Sequence, residues 1–329
     1  MTLFDSELAA GADPVLAPGE EPVPAAGTDP VPSRRGGAWR RLRADRSALA
    51  ALVLVGLLVL VALAAPLLTA LEGQDATTFH SQLLDSARGG VPHGAFGGIG
   101  ADHWLGVEPG TGRDVFARIV YGARVSLGVA LAATALELVV GIAIGLAAGL
   151  GGPRVDAVAG RVIEIAIAFP SLLLALALLA IVPQSVPRPV LVALAITAVN
   201  WGNVARVTRA QAMSLRTRDY VDAARLAGVG PVRIALREIL PGLTTPLMVL
   251  AALKVPSNIV SEAGLSFLGA GVRPPTPSWG QMLSTSTTWF QTDPAYVIVP
   301  GGLLLVTLLA FSLFADGVRR ALDPRSTRV

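Results

Sequence analysis

The 329-residue sequence contains no cysteine and only three histidines. Without cysteine, the chain has no disulfide framework and no thiolate that could ligate a metal or attack a substrate. We expect the histidines, His80, His93 and His103, to be solvated loop residues and not a metal cluster. Charged residues are also scarce, because they make up 15% of the chain, whereas soluble domains average roughly 25%. These deficits argue against a soluble enzyme.

The chain is correspondingly rich in apolar residues. Hydrophobic residues account for 53% of the chain, and the mean hydropathy is +0.62. This composition excludes an intrinsically disordered chain, which is polar and rich in charge. The net charge of +3 does not indicate a nucleic-acid partner, because Lys254 is the only lysine and the arginines flank apolar stretches, as they do in membrane proteins.

Six apolar stretches are candidates for membrane-spanning helices, each of which takes about 20 residues. They lie at 47–71, 125–150, 165–181, 190–205, 243–261 and 295–315. Any one of them could be a buried core helix, but six together, with charged ends, favour membrane spans. The sequence therefore predicts an all-α polytopic membrane protein with six transmembrane helices and the lipid bilayer as its surroundings.

The distribution of arginine predicts the orientation of these helices. Most arginines fall in the segments before the first span, after the second and fourth spans, and after the sixth. Arginine accumulates on the cytoplasmic side of membrane proteins, so both termini are expected in the cytoplasm. The expected divisions are an acidic, proline-rich, disordered cytoplasmic tail (1–38), a basic flank with the first span (39–72), an extracytoplasmic segment (73–124) and a five-helix core (125–329). The core contains a cytoplasmic loop at 206–241 and an extracytoplasmic segment at 263–294.

The loop at 206–241 predicts two short helices separated by a glycine break. Residues 216–227 favour a helix, and Gly228 and Gly230 interrupt it. A second short helix is expected at 232–239, ending at Pro241. The alanines of the first helix allow close approach of a partner, and the arginines of the loop suit an acidic or phosphate-rich neighbour.

A family resemblance rests on the pattern Asp222-Ala223-Ala224-x3-Gly228-x-Gly230-x9-Leu240-Pro241. This pattern resembles the EAA loop of ABC-importer permeases, with Asp222 where Glu is usual. The resemblance implies that the loop is a coupling helix seated in a groove of a separate ATPase subunit. The plain alternative is an ordinary basic loop beside the membrane.

Two outer motifs narrow the resemblance. The segment with Glu262, Gly264, Phe267, Gly269, Trp279 and Gly280 is similar to the one after span five in the second, C-type permease of dipeptide, oligopeptide and nickel importers. Residues 103–127 are similar to the segment before span two in the same proteins, although 107–111 depart from the pattern. Residues 169–175 also match. The resemblance covers about residues 40–324 and implies the type I ABC-importer permease fold.

The resemblance implies a transport function, and the absence of catalytic motifs from the sequence agrees with it. The chain has no catalytic constellation and no phosphate-binding loop, so it is expected to be non-catalytic and to bind no cofactor or metal itself. ATP and Mg would bind two partner ATPase subunits. The other implied partners are a second permease, forming a heterodimer, and an extracytoplasmic binding protein. The expected function is import of dipeptides or oligopeptides across the bacterial cytoplasmic membrane.

Alternatives remain open at this stage. The same architecture could import nickel, haem or another small solute, and a channel, a scaffold or a secondary transporter would work without ATP. Glu137 and Lys254 lie within predicted spans, where they either line the translocation path or form a structural pair. Trp104, Trp279 and Trp289 are expected to be anchors at the membrane boundary or contacts for a binding protein.

Overall fold

The computed structural model describes residues 34–94, 96–182 and 185–322, without the side chains of residues 34–38. Most of the predicted disordered tail at 1–38 therefore lies outside the described residues. Its last five residues, 34–38, belong to the first helix.

The described residues are mostly helical. The helices are α1 (Arg34–Ala44), α2 (Arg46–Leu63), α3 (Ala65–Glu72), α4 (Val115–Leu150), α5 (Pro153–Ala168), α6 (Ser171–Ile181), α7 (Arg188–Leu215), α8 (Asp219–Leu226), α9 (Pro231–Ile234), α10 (Leu240–Phe267), α11 (Trp279–Ser286) and α12 (Ala295–Leu322). A π-helical turn at Ala235–Ile239 joins α9 to α10. Strands β1 (Leu84–Asp85) and β2 (Val91–Pro92) form a small antiparallel pair, with Leu84 opposite Pro92.

Among the described residues, up to six stretches are long and apolar enough to cross a membrane, if one broken helix pair is counted as a single span. Five helical stretches are long and apolar enough to cross a bilayer, and α5 with α6 forms the sixth. This confirms the all-α, six-span fold. The predicted span at 165–181 is not straight, because α5 and α6 meet at 90°. Pro170 causes the break, since a proline pushes the preceding residue, Phe169, into an extended backbone (φ −78°, ψ 139°).

Several helices extend beyond their apolar stretches. Helix α4 begins at Val115, ten residues before the predicted span, because the Asp114 carboxylate accepts a hydrogen bond from the Ala117 amide and caps the helix. The helix predicted to end at Pro241 instead continues into α10. Pro241 lies in the first turn of α10, where a missing amide hydrogen costs little.

The centre of the bundle is a close contact between α4 and α7. Gly141, Gly145 and Gly149 recur every fourth residue on α4 and face Val204, Thr208 and Ala212 of α7. A Cβ on Gly141 or Gly145 would lie 2.5 Å from a side-chain carbon of α7, so only glycine permits this approach. Helix α10 packs against both α4 and α12, and α2 packs against α12.

The two ends of the bundle carry the candidate sites. We call the end that holds residues 73–114 and 268–294 the outer end. The opposite end, which holds α1, α8 and α9, is the inner end. These names follow the predicted orientation.

Candidate functional site

Helix α8, at the inner end, is attached to the bundle by one buried side chain. Val221 is fully buried in an apolar cluster with Ile234, Ile239 and Leu243. The same cluster includes Leu146 of α4 and Ala212 of α7. Helix α8 therefore packs on α9 and the π-helical turn, and it shares one apolar cluster with the start of α10 and the two central helices.

The predicted loop residues surround this attachment. Asp222 and Arg225 form an exposed ion pair of 2.8 Å, with Ala223 exposed and Ala224 half-buried beside them. Gly228 ends α8 with φ +75°; its amide donates to the Arg225 carbonyl, and a helix end of this kind favours glycine.

The remaining predicted loop residues lie at the starts of the next two helices. Gly230 caps α9 with no neighbouring atom near its missing side chain. Leu240 and Pro241 begin α10, and Leu240 packs against the Val221 cluster. The loop thus presents Asp222, Ala223, Gly228 and Gly230 outward and keeps Leu240 inward.

This end also exposes apolar side chains that the sequence pattern did not predict. Leu226 is 91% exposed at the end of α8, and Tyr220 is exposed near its start. Val232 and Leu236 are exposed in the following turns. Uncovered apolar residues next to a polar helix are typical of a protein-binding surface. Leu226, an apolar residue two positions before the glycine break, was the available signal.

The two charges within the membrane spans lie together. Lys254 Nζ of α10 is 2.9 Å from Glu137 Oε2 of α4 and donates to the Asn200 carbonyl of α7 at 3.2 Å. The Glu137 side chain is fully buried. One turn away, the Asn258 amide donates to the Thr134 hydroxyl at 3.0 Å. The pair thus connects all three central helices inside one chain.

At the outer end, Trp279 is buried, so the expectation of a boundary anchor is wrong for this residue. Its amide donates to the Ser126 hydroxyl at 3.2 Å and its indole nitrogen to the Ile119 carbonyl at 3.1 Å. Gly122 leaves the room for its ring on α4. Trp104 is partly exposed and packs against Phe116, and Trp289 packs against the core.

The other outer-motif residues divide into two groups. Glu262 is fully buried; its carboxylate accepts from the Ser266 hydroxyl at 2.7 Å, which in turn accepts from the Val272 amide. Gly280 lies directly against the Ala263 backbone, where a Cβ would overlap the carbonyl oxygen. Three residues are not part of this contact: Gly264 and the exposed Phe267 face away, and Gly269 (φ +79°) follows the end of α10.

A buried charge cluster at the outer end was not predicted. Glu108 Oε2 accepts from Arg113 at 2.6 Å and lies 3.6 Å from Arg118, while its other oxygen accepts from the Tyr296 hydroxyl. Arg118 also donates to Gln281 at 2.6 Å. Burial alone raises the pKa of Glu108, but the Arg118 charge and the Arg113 hydrogen bond outweigh it and hold this pKa below its usual value. The cluster joins the loop at 107–113 to α4, α11 and α12.

His103 also departs from its prediction, because it is buried and not solvated. Its Nδ1 lies 2.8 Å from Asp114 Oδ2, and its ring packs edge-on against His80. His93 is exposed, as expected. Among the residues that the structure describes, no three His, Asp or Glu side chains are grouped to hold a metal ion.

Comparison with known proteins agrees with this arrangement. Residues 141–328 match the family described as "Binding-protein-dependent transport system inner membrane component". Residues 33–83 match the "N-terminal TM domain of oligopeptide transport permease C". The first match covers more than half of the chain and includes α8 and the whole of α10.

Curated relatives extend the match along the chain. A dipeptide transport system permease protein of Alkalihalophilus pseudofirmus is 37% identical over 88% of this chain and 89% of its own. A di/tripeptide transport system permease protein of Pseudomonas aeruginosa is 37% identical over 87% and 91%, respectively. An oligopeptide transport system permease protein of Bacillus subtilis is 32% identical over 88% of both chains.

A solved structure supports the fold independently. A chain of the MetNI methionine ABC transporter, in an inward facing conformation, superposes with a TM-score of 0.50 at 18% identity. The match covers 63% of this chain and 97% of that chain. Similarity at this level of identity shows the fold alone, and it confirms the type I importer permease arrangement.

Proposed function

Because this chain belongs to the family of binding-protein-dependent transport system inner membrane components, we propose that it is the permease subunit of an ATP-driven importer of dipeptides or oligopeptides. It is a multi-pass inner-membrane protein and a transport component, not a catalytic subunit. The observation that carries the peptide assignment is the similarity to peptide permeases along 87–88% of the chain.

In this proposal, α8 is the coupling helix. Tyr220 and Leu226 insert into a separate ATP-binding subunit, which holds ATP and Mg. Two features support this role: these side chains are uncovered at the inner end, while Val221 on the same helix is buried against α10. Closure of the ATPase dimer would then move α8, and the Val221 cluster would pass the movement to the spans.

The complete importer needs partners for the surfaces that one chain leaves open. Helix α5 exposes an apolar stripe at Val155, Val158, Val162 and Ile165, which suits a second permease subunit in a heterodimer. Two ATP-binding subunits would face the inner end. An extracytoplasmic binding protein would deliver the peptide to the outer segments at 73–114 and 268–294.

We assign the Glu137–Lys254 pair to holding the helices together and not to binding the peptide. Lys254 already has a carboxylate at 2.9 Å, and Glu137 is not exposed. Lys254→Met would leave a buried, unpaired carboxylate, which costs about 3–5 kcal/mol of stability. The double variant Glu137→Gln/Lys254→Met should recover much of this loss, as measured by thermal unfolding in detergent. A path role predicts the opposite pattern, in which both variants keep wild-type stability and both abolish uptake.

Uptake of a labelled dipeptide by a strain that lacks this chain tests the function directly. Wild type should restore uptake. Gly228→Pro should not, because proline cannot adopt the φ of +75° at the end of α8. Gly152→Pro is the matched control on the same side: its φ is −64° and no atom lies near its missing side chain, so uptake should remain.

Competitors identify the substrate class in the same assay. An excess of unlabelled tripeptide should inhibit dipeptide uptake, whereas haem and nickel should not. Unchanged dipeptide uptake in the deletion strain, with other peptide transporters removed, would overturn the peptide assignment. Restored haem or nickel uptake would then favour the alternative substrates.

A further inference from the structure

The inner end carries a second basic surface that is separate from the coupling loop. Arg40 and Arg43 of α1, Arg46 at the start of α2 and Arg319 of α12 are all exposed. Within the described part of the chain, no carboxylate pairs with Arg40, Arg46 or Arg319. The described residues therefore leave these positive charges available to a partner.

The fold fixes this surface in place. Leu42 of α1 packs with Ala48 of α2 and Ala321 of α12 in one small apolar cluster. Asp45, between α1 and α2, accepts two hydrogen bonds from Arg320 at 2.9 and 2.7 Å. Hydrogen bonds from Ser47 and then Arg320 hold the pKa of Asp45 far below its usual value, so this contact persists at physiological pH. The arginines are thus held on a formed corner of the molecule.

The position of Trp39 relates the surface to the membrane. Trp39 is 50% exposed, and the Arg43 guanidinium lies 4.8 Å above its ring. Tryptophan concentrates at the level of the lipid headgroups. Directly beyond Arg46, Leu49 and Val53 are exposed on the lipid-facing side of α2. The guanidinium groups therefore lie where the hydrocarbon-facing surface of the bundle begins.

We propose that Trp39, Arg40, Arg43, Arg46 and Arg319 form a binding surface for the headgroups of anionic phospholipids. A guanidinium group donates paired hydrogen bonds that match a phosphate, and an anionic leaflet attracts basic segments beside a transmembrane helix. The site is continuous with lipid-facing α2, which favours a lipid over a soluble partner. Placing it in the cytoplasmic leaflet rests on the orientation in the proposed function.

Lipid retention by the purified full-length chain tests the proposal. The chain is titrated with phosphatidylglycerol or phosphatidylcholine in detergent, and bound lipid is counted by native mass spectrometry. The triple variant Arg40→Gln/Arg46→Gln/Arg319→Gln should lose about a hundredfold in affinity for phosphatidylglycerol, with little change for phosphatidylcholine. Added salt should weaken wild-type binding of phosphatidylglycerol, because ions screen exposed charges.

A matched triple variant supplies the control. Arg88→Gln/Arg124→Gln/Arg273→Gln removes the same charge from exposed arginines elsewhere on the chain, and it should retain wild-type affinity. Thermal unfolding checks that both variants fold. Equal phosphatidylglycerol binding by the first triple variant and wild type, or an equal loss in both triple variants, would overturn the proposal.

The side of the membrane is tested separately. Because the chain has no cysteine, Ala44→Cys introduces a single thiol beside the basic surface. A membrane-impermeant maleimide should label it only after the cells are opened, whereas Ser86→Cys at the outer end should react in intact cells. Labelling of Ala44→Cys in intact cells would overturn the cytoplasmic placement and the proposed orientation together. Failure of dipeptide uptake would instead affect the substrate assignment and leave the lipid result standing.

Discussion

One charge cluster at the outer end of the bundle and helix α8 at the inner end differ in burial. At the outer end, Glu108, Arg113 and Arg118 are buried and paired with one another inside the chain. At the inner end, the Asp222–Arg225 pair is exposed, and Leu226 is almost completely uncovered. The outer end therefore pairs these three charges inside the chain, while α8 at the inner end leaves its ion pair and Leu226 on the surface.

In the proposed function, this difference separates residues that hold the fold from residues that bind a partner. Breaking a buried ion pair leaves a charge without compensation and costs about 3–5 kcal/mol. An exposed pair contributes about 0–1 kcal/mol. Substitutions in the buried outer charge cluster should therefore lower stability, whereas substitutions at the exposed surface of α8 should lower activity at nearly constant stability.

The largest stability effect is expected for Glu108→Gln. The substitution leaves Arg113 and Arg118 buried without their carboxylate, so the free energy of unfolding should fall by about 3–5 kcal/mol. Glu164→Gln is the matched control in the exposed Arg161–Glu164 pair, where the change should stay within about 0.5 kcal/mol. Thermal unfolding of both purified variants measures the contrast. Equal effects of the two substitutions would mean that the ends do not differ in this way.

A smaller loss is expected for Gly280→Ala. The added Cβ overlaps the Ala263 carbonyl in a packed region, which costs about 1–3 kcal/mol. Gly264→Ala, in the same outer motif, places its Cβ 3.8 Å from Leu172 and should keep or raise the stability, since alanine is favoured in a helix. The unfolding temperatures of the two variants compare Gly280, which lies against the Ala263 backbone, with Gly264, which has space for a Cβ. If Gly264→Ala were the more damaging, the assigned packing of Gly280 would be incorrect.

The smallest expected effect is on how the stability of the chain depends on pH, and it arises from Glu72 at the outer end. Burial raises the pKa of Glu72 to about 7, and the nearby Asp114 charge adds to this. A raised pKa means that the folded state holds the proton more tightly, so this stabilisation is complete below the ordinary carboxyl pKa and is lost as the pH rises through about 7. Glu72→Gln keeps an acceptor for the Trp104 amide and should flatten the decline of unfolding temperature over that window. If the slope of unfolding temperature against pH were the same in Glu72→Gln and wild type, Glu72 would be excluded as the source of the pH dependence.

The sequence predicts the fold well because the relevant signals are local. Apolar length and flanking arginine are sufficient to find the six spans. The order of Asp222, Gly228 and Pro241 identifies the loop. The glycine break and the proline in the first turn of α10 each determine the backbone conformation at their own position, so no distant residue is needed. Hydropathy does not predict the bend after Phe169. It measures the composition of a stretch, whereas Pro170 changes the direction of the backbone.

The errors arise where distant residues decide the outcome. Trp279 was predicted at the boundary because tryptophan favours it, but Gly122 and Ser126, more than 150 positions away, bury its ring and bond its amide. Glu108 lies in a stretch of glycine and proline that gives no sign of burial, and its partners come from α4 and α12. Exposed Leu226 shows the converse case: its place before the glycine break is a local signal, but an apolar side chain by itself predicts burial.

The most direct test of the account is the attachment of a partner ATPase to α8. Leu226→Asp should abolish co-purification of the ATP-binding subunit and dipeptide uptake, while the unfolding temperature of the chain stays at the wild-type value. Leu268→Asp is the control at the outer end, at a leucine that is 54% exposed, and it should retain the ATPase. Wild-type co-purification and uptake with Leu226→Asp would contradict the proposed coupling surface.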